Sequence, residues 1–118
     1  MKINKIVRNK IFLSNEEIMD INLDIKTKYD LKEDMDIESL YDEISYEASL
    51  AKALYYLSLR DRTEEELRIK LGGKFRNASS IDRAVKKVRE MGYINDHDYA
   101  LSYIKNSRFG EKRAEFEL

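Results

Sequence analysis

The strongest constraint on the fold of this 118-residue chain is an internal similarity at a fixed offset of 47 residues. Residues 53–57 (Ala-Leu-Tyr-Tyr-Leu) match residues 100–104 (Ala-Leu-Ser-Tyr-Ile), and at the same offset Glu64 corresponds to Glu111. A period of this size is typical of tandem helical repeats, which build an extended surface rather than an enclosed pocket. The pattern therefore predicts a binding function, with a second repeat that is shorter than the first.

The composition also favours helices. The chain contains no proline and only four glycines, so few residues would interrupt a helix. Hydrophobic residues make up 42% of the sequence, which is enough to form a core although 38% is charged. The absence of cysteine excludes disulfides and thiolate chemistry. With short apolar runs and no signal-peptide pattern at the start, we expect a cytoplasmic protein.

The N-terminal third fits two local structures. Several β-prone residues between positions 6 and 21 predict a small hairpin with a turn at residues 14–16. The alternative takes Ser14 and Glu17 as a capping box that begins a helix. We favour the hairpin, followed by a short helix over residues 23–29.

From residue 37 onward, apolar residues recur at spacings of three and four, which predicts a helix that runs to about residue 59. The residues of this apolar stripe are Ile37, Leu40, Tyr41, Ile44, Ala48, Ala51 and Leu54. Thr63 and Glu66 are spaced as a capping box and predict the start of a second helix. We expect Gly72-Gly73 to end that helix by adopting the left-handed cap conformation.

A third helix is predicted to begin with Ser79 or Ser80 as its cap and to end at Gly92. Its predicted buried face consists of Ile81, Ala84, Val85, Val88 and Met91. A fourth helix is expected to begin at Asn95 or Asp96, with a fifth following later in the chain.

These elements divide the chain into three predicted regions. The N-terminal hairpin and short helix occupy residues 1–36, the first three-helix repeat with its lead-in helix occupies 37–93, and the first two helices of an incomplete second repeat occupy 94–118. The expected fold class is mainly α, a solenoid-like array of three-helix repeats preceded by a small β-hairpin. Because the incomplete repeat would leave Ile104 and Phe116 uncovered, we expect the chain to be the front part of a longer protein.

Two separated motifs resemble the first repeat of the RecX family of recombination regulators. They are residues 53–71 (ALYYLSLRDRTEEELRIKL) and residues 88–96 (VREMGYIND), and residues 110–118 are similar to the start of the family's second repeat. The resemblance implies tandem three-helix repeats, usually three, that lodge in the groove of the RecA recombinase filament on single-stranded DNA. It implies a non-enzymatic protein that restrains the ATPase and strand-exchange activities of RecA. Compared with the family pattern, the chain lacks the end of the second repeat and all of the third. A contact that spans the filament groove would need the length of those missing helices.

Charge is distributed unevenly along the sequence. Residues 1–50 carry 7 basic and 12 acidic side chains, a net of −5, whereas residues 51–118 carry 15 basic and 11 acidic side chains, a net of +4. Such an asymmetry is expected to orient the chain toward a charged partner. The candidate partner-binding residues are Arg60, Arg62, Lys74, Arg76, Arg83, Lys86, Lys87, Lys105, Arg108, Lys112 and Arg113. Their alternative role is a solvated helix face or, for Arg60, complementing the dipole of the preceding helix.

No catalytic, metal or cofactor site is predicted. Residues 96–98 (Asp-His-Asp) are adjacent on a predicted helix and point in different directions, so they cannot easily converge on one ion. Asp20, Asn22 and Asp24 imitate the opening of a calcium loop, but Ile25 stands where that loop requires glycine. We therefore expect a monomeric regulator without cofactors that does not bind a membrane. Its expected partner is the RecA filament on single-stranded DNA, with a weak direct DNA contact as a further option.

Two other functions fit parts of the pattern. Residues 63–71 and 80–92 have the lengths of a helix-turn-helix pair, which would make the chain a DNA-binding module. Against this, residues 95–107 resemble another helix rather than a strand, and residues 64–66 (Glu-Glu-Glu) would place acid near DNA. The remaining alternative is a structural adaptor built from helical repeats.

Overall fold

The computed structural model describes residues 1–94, which form a small antiparallel sheet followed by four helices. The strands are β1 (Ile3–Val7), β2 (Lys10–Leu13) and β3 (Ile18–Asp20), in the order β1-β2-β3. The helices are α1 (Leu23–Lys28), α2 (Tyr41–Leu59), α3 (Glu64–Gly72) and α4 (Ala78–Glu90). The predicted mainly helical chain with a small N-terminal β element is confirmed here. The helices expected after Asn95 or Asp96, and with them the tandem arrangement, lie outside the described residues.

The N-terminal sheet contains the predicted hairpin and one more strand. β2 and β3 pair antiparallel with Ile11 opposite Met19, and β1 pairs with the other side of β2. Alternate residues Ile11, Leu13 and Met19 are buried on one face, which is the period-two pattern of a strand. The alternative of a helix beginning at Ser14 is therefore wrong. The Ser14 hydroxyl instead accepts a hydrogen bond from the Lys2 N–H at 3.0 Å.

Helix α1 is held at both ends by side chains. The Asn22 side chain caps its start by accepting from the Ile25 N–H at 2.8 Å. At the other end, the Tyr29 hydroxyl and the Lys28 ammonium both donate to one carboxylate oxygen of Glu47 on α2. Burial and the hydrogen bond to Glu47 raise the pKa of Tyr29 to about 12. The short helix therefore docks on α2 with its tyrosine in the neutral form.

Helix α2 is the longest element of the described chain, with 19 residues. It begins at Tyr41, later than the predicted apolar stripe, because residues 38–40 form a turn in which the Leu40 N–H donates to the Ile37 carbonyl at 2.9 Å. Ile37 is nevertheless fully buried, so its place in the apolar stripe reflects burial rather than helix. The helix packs most extensively against α4 and also contacts α1, α3 and β3.

Helix α3 begins at the predicted capping box but ends differently from the prediction. The Thr63 hydroxyl accepts from the Glu66 N–H, and the Glu66 carboxylate accepts from the Thr63 N–H at 3.0 Å. The expected left-handed cap is wrong, because Gly73 has φ −80° and ψ −10°. The chain instead turns in right-handed geometry, and the Phe75 N–H bonds the Leu71 carbonyl at 2.9 Å. This turn places the Phe75 side chain in the core.

The start of α4 corrects the predicted caps. Asn77, rather than Ser79 or Ser80, is the N-cap, and its side-chain oxygen accepts from the Ser80 N–H at 3.2 Å. Asn77 also donates through Nδ2 to Asp42 of α2 at 2.9 Å. Asparagine and serine are comparable helix caps, so the local sequence does not distinguish Asn77 from Ser79 or Ser80. The contact between Asn77 and α2 depends on the tertiary structure, which the sequence pattern does not show.

The end of α4 confirms four predicted core residues and corrects one. The buried residues are Ile81, Ala84, Val85 and Val88, whereas Met91 is 44% exposed. Gly92 has φ 86°, and the following Tyr93 N–H bonds the Val88 carbonyl at 3.0 Å, a Schellman-type ending. This reversal turns the chain so that Ile94 enters the core in place of Met91.

The cap assignment predicts the effect of two neighbouring substitutions. Asn77→Ala removes the cap and the bond to Asp42, so we expect it to lower the free energy of unfolding by about 1 kcal/mol or more. Ser79→Ala changes an exposed side chain and should stay within about 0.5 kcal/mol of the wild type. Urea denaturation of both variants measures the difference. A larger loss for Ser79→Ala than for Asn77→Ala would contradict this assignment.

Candidate partner-binding surface

Several of the cations near α4 belong to an ion-pair network between α3 and α4. The Glu64 carboxylate accepts from Arg68 and Arg89, Arg68 also reaches Asp82 at 3.0 Å, and Lys86 pairs with Asp82 at 3.0 Å. Burial opposes ionisation of Glu64, but its two arginine partners outweigh that effect and lower its pKa. The network therefore fixes α4 against α3 and neutralises much of the predicted basic stripe.

Arg83 lies on the other flank of α4 and joins it to α2. Its guanidinium lies 4.1 Å from the ring centroid of Tyr46 and 3.0 Å from the Glu43 carboxylate. The hydrogen bond from Arg83 to Glu43 raises the pKa of the arginine further. Arg83 thus reaches the surface with its charge already partnered, and it acts as a bridge between two helices.

The two arginines that follow α2 have different environments. Arg60 is exposed and donates to the Asp61 carbonyl at 3.0 Å. Arg62 is only 9% exposed, donates through Nε to the Tyr56 carbonyl at 3.3 Å and lies 5.5 Å from the Tyr56 ring centroid. Arg62, rather than Arg60 as predicted, therefore donates to a carbonyl in the last turn of α2. Arg62 does not lie on the exposed surface where the prediction placed it.

Arg76 ties the helices to the sheet. Its two terminal nitrogens donate to the carbonyls of Asn15 and Glu16 in the β2–β3 turn, both at 2.9 Å. Nearby, the Tyr41 hydroxyl of α2 donates to the buried Glu17 carboxylate at 2.6 Å. Burial, with this bond to Glu17, raises the pKa of Tyr41. Arg76 therefore has a structural contact that the sequence pattern did not indicate.

Two of the predicted residues are exposed and make neither an ion pair nor a side-chain hydrogen bond inside residues 1–94. They are Lys74, in the loop after α3, and Lys87, on the outer side of α4. Lys70 was not predicted but is also exposed, with its ammonium 5.4 Å from the Tyr56 ring centroid. The remaining predicted residues, Lys105, Arg108, Lys112 and Arg113, lie outside the described part of the chain.

Two further observations limit the chemistry of the described region. No helix within residues 1–94 has the length and apolar character needed to cross a membrane. In the same residues, no three His, Cys, Asp or Glu side chains are grouped so that they could hold a metal ion. Asn22, which the sequence placed in an imitation calcium loop, is the cap of α1. The predicted trio at residues 96–98 lies beyond the described range.

Comparison with known proteins identifies the three-helix unit. Residues 50–87, from α2 through most of α4, match the family model described as RecX, first three-helix domain. The chain is 30% identical over 120 residues to the Regulatory protein RecX of Listeria monocytogenes serotype 4a (strain HCC23), a match that covers 94% of this chain and 45% of that protein. The chain belongs to the RecX family.

Other RecX proteins give the same result. The Regulatory protein RecX of Geobacillus sp. (strain WCH70) is 31% identical over 96 residues, which are 77% of this chain and 35% of the relative. A solved structure titled as the crystal structure of regulatory protein RecX superimposes with a TM-score of 0.54 at 23% identity, covering 88% of this chain and 57% of that one. This likeness supports the fold alone. The chain spans less than half the length of the curated RecX relatives described here.

The ion-pair network predicts a pH-dependent loss of stability on substitution of Glu64. We expect Glu64→Gln to lower the free energy of unfolding by about 1 kcal/mol at neutral pH. Because the pKa of Glu64 is lowered in the folded state, its contribution is present above the ordinary glutamate pKa of about 4.3 and is lost as the pH falls through the folded-state value. The difference between variant and wild type should therefore shrink below about pH 4.

The matched control is Glu65→Gln, which removes the same charge from the same helix turn at an exposed position. Thermal or urea unfolding at several pH values measures both variants. Equal effects of the two substitutions, or a Glu64→Gln effect that does not depend on pH, would contradict the network's role.

Proposed function

We propose that this chain is a non-enzymatic regulator that binds the RecA recombinase filament on single-stranded DNA and restrains its ATPase and strand-exchange activities. The observation that carries the proposal is the match of residues 50–87 to the first three-helix domain of RecX. Its curated relatives are named as regulatory proteins. RecA as the partner follows from the resemblance of residues 53–71 and 88–96 to the family. A cytoplasmic, monomeric protein belongs to the same proposal.

The distribution of paired and unpaired charge refines the surface that would meet RecA. Arg83 and Lys86 are held by acidic residues of this chain, so a partner would have to break an ion pair to use them. Lys74 and Lys87 carry no such cost within the described residues. We therefore assign Lys74 and Lys87 the first contact with an acidic protein groove or with phosphates.

Two observations favour this function over a helix-turn-helix DNA-binding module. In such modules the first residues of the second helix contact base edges. Here the first turns of α4 contain Ser79, Ser80 and Asp82, and Asp82 is already paired with Arg68 and Lys86. Arg83, the cation of these turns, is already paired with Glu43 and lies against the Tyr46 ring.

The proposal is tested by co-sedimentation of the 118-residue chain with RecA filaments assembled on single-stranded DNA, together with the ATPase rate of the same filaments. We expect the chain to sediment with the filament and to lower the ATPase rate. Sequence-dependent binding to bare duplex DNA with no effect on the RecA ATPase would overturn the proposal and support the DNA-binding module.

The surface assignment predicts a selective loss of filament binding. The double variant Lys74→Glu and Lys87→Glu should weaken binding roughly tenfold, since two favourable charge contacts become repulsive, and should reduce the dependence of binding on salt. Lys32→Glu, a charge reversal at another exposed lysine in the N-terminal region, is the control and should leave affinity nearly unchanged. If the two reversals have the same effect, RecA does not bind at Lys74 and Lys87.

A further inference from the structure

A groove lies where the sheet meets α2, and most of its lining residues come from the first 50 residues, whose net charge is negative. Two adjoining hollows meet here and share Asp20 and Lys52 among their lining residues. One hollow extends along α2 to Tyr55, and the other extends to the β1–β2 turn at Arg8 and Lys10. The sequence pattern did not indicate this site, because its residues come from β1–β2, β3 and α2.

The groove itself carries more positive than negative charge, because Arg8, Lys10 and Lys52 line it together with Asp20. The Lys10 ammonium lies 2.5 Å from one oxygen of Asp20, and the Lys52 ammonium lies 3.2 Å from the other. One carboxylate therefore holds two cations side by side. Arg8, which follows β1, adds a third positive charge that has no acidic partner within residues 1–94. Burial opposes ionisation of Asp20, but the two lysines outweigh it and lower its pKa, so the carboxylate keeps this arrangement at neutral pH.

An exposed aromatic ring lies at the other end of the groove. Tyr55 is 54% exposed, which is high for a tyrosine on a helix that packs on both sides. The Lys52 ammonium is 5.6 Å from the Tyr55 ring centroid, so one of the three cations lies over the ring. Ala48 and Ala51 line the hollow beside the ring, and their small side chains leave room for a flat group.

We propose that this groove binds single-stranded nucleic acid, with a base stacked against Tyr55 and a backbone phosphate held by Lys10 and Arg8. Proteins that bind single strands combine a positive groove with aromatic rings on which bases stack. A duplex keeps its bases paired and cannot present one to the ring. An acidic peptide would satisfy the cations but would leave the exposed ring of Tyr55 without a role.

The site is separate from the surface assigned to RecA. Tyr46, which contacts Arg83 of α4, and Tyr55 are nine residues apart on α2, which is two and a half turns. The two tyrosines therefore lie on opposite sides of the helix. The inference goes beyond the proposed function, since it concerns bare single strands and requires no RecA.

The test is fluorescence anisotropy of a labelled short oligothymidylate titrated with the full chain over a range of salt concentrations. Tyr55→Leu should weaken binding about tenfold or more, whereas Tyr55→Phe should bind like the wild type because stacking needs the ring and not the hydroxyl. Lys10→Gln should reduce the slope of log affinity against log salt by about 0.7, the value for one phosphate contact with a single strand. Asp20→Asn should bind more tightly, since it removes the only carboxylate among the groove's charged groups.

The control is Lys70→Gln, which changes an exposed lysine of α3 that lines neither hollow and should leave both affinity and slope unchanged. No binding of oligothymidylate by the wild type overturns the proposal. So does a slope that falls for Lys70→Gln but not for Lys10→Gln, which would place the strand on α3. Equal binding of an oligoglutamate peptide, unaffected by Tyr55→Leu, would show an acidic-peptide site instead. Because RecA is absent from every arm, failure here leaves the filament-binding proposal to its own test.

Discussion

The burial of α2 between the sheet and the other helices is the constraint on which the rest of the described structure depends. One side of this helix carries fully buried small residues, Ser45 and Ser49, where bulkier side chains would hold neighbouring elements apart. Its first turn holds the sheet through Tyr41 and the buried Glu17. Its outer residues hold α4, through Glu43 and Arg83. The sheet and the three-helix unit are therefore parts of one packed body.

The elements that could be predicted from the sequence are those determined by local spacing. The recurrence of apolar residues along α2 and α4 and the capping box at Thr63 depend only on neighbours within two turns. The errors arose where a distant residue decides the outcome. Asn77 prevails over Ser79 as the cap while also bonding Asp42, and Ile94 replaces Met91 in the core because Gly92 reverses the chain.

The candidate sites also depend on contacts between residues that are distant in the sequence. A sequence locates each cation but does not reveal which acid will lie beside it in the fold. Arg62 follows α2, and the sequence pattern predicts that its side chain is exposed. In the structure it packs on Tyr56 and is buried. In the opposite sense, Lys10 and Lys52 are 42 residues apart in the sequence, and only the fold brings them to the two oxygens of Asp20. Pairing across elements thus removes some predicted binding residues and creates a site that was not predicted.

If α2 unites the sheet and the helices, the groove at Tyr55 and the lysines beside α4 are held in a fixed relation on one rigid body. Native-state hydrogen exchange tests this most directly. We expect the amides of β2, the middle of α2 and α4 to exchange slowest and to share one opening free energy. Rapid exchange of β2 while α2 and α4 remain protected would contradict it, because the sheet would then unfold independently of the helices.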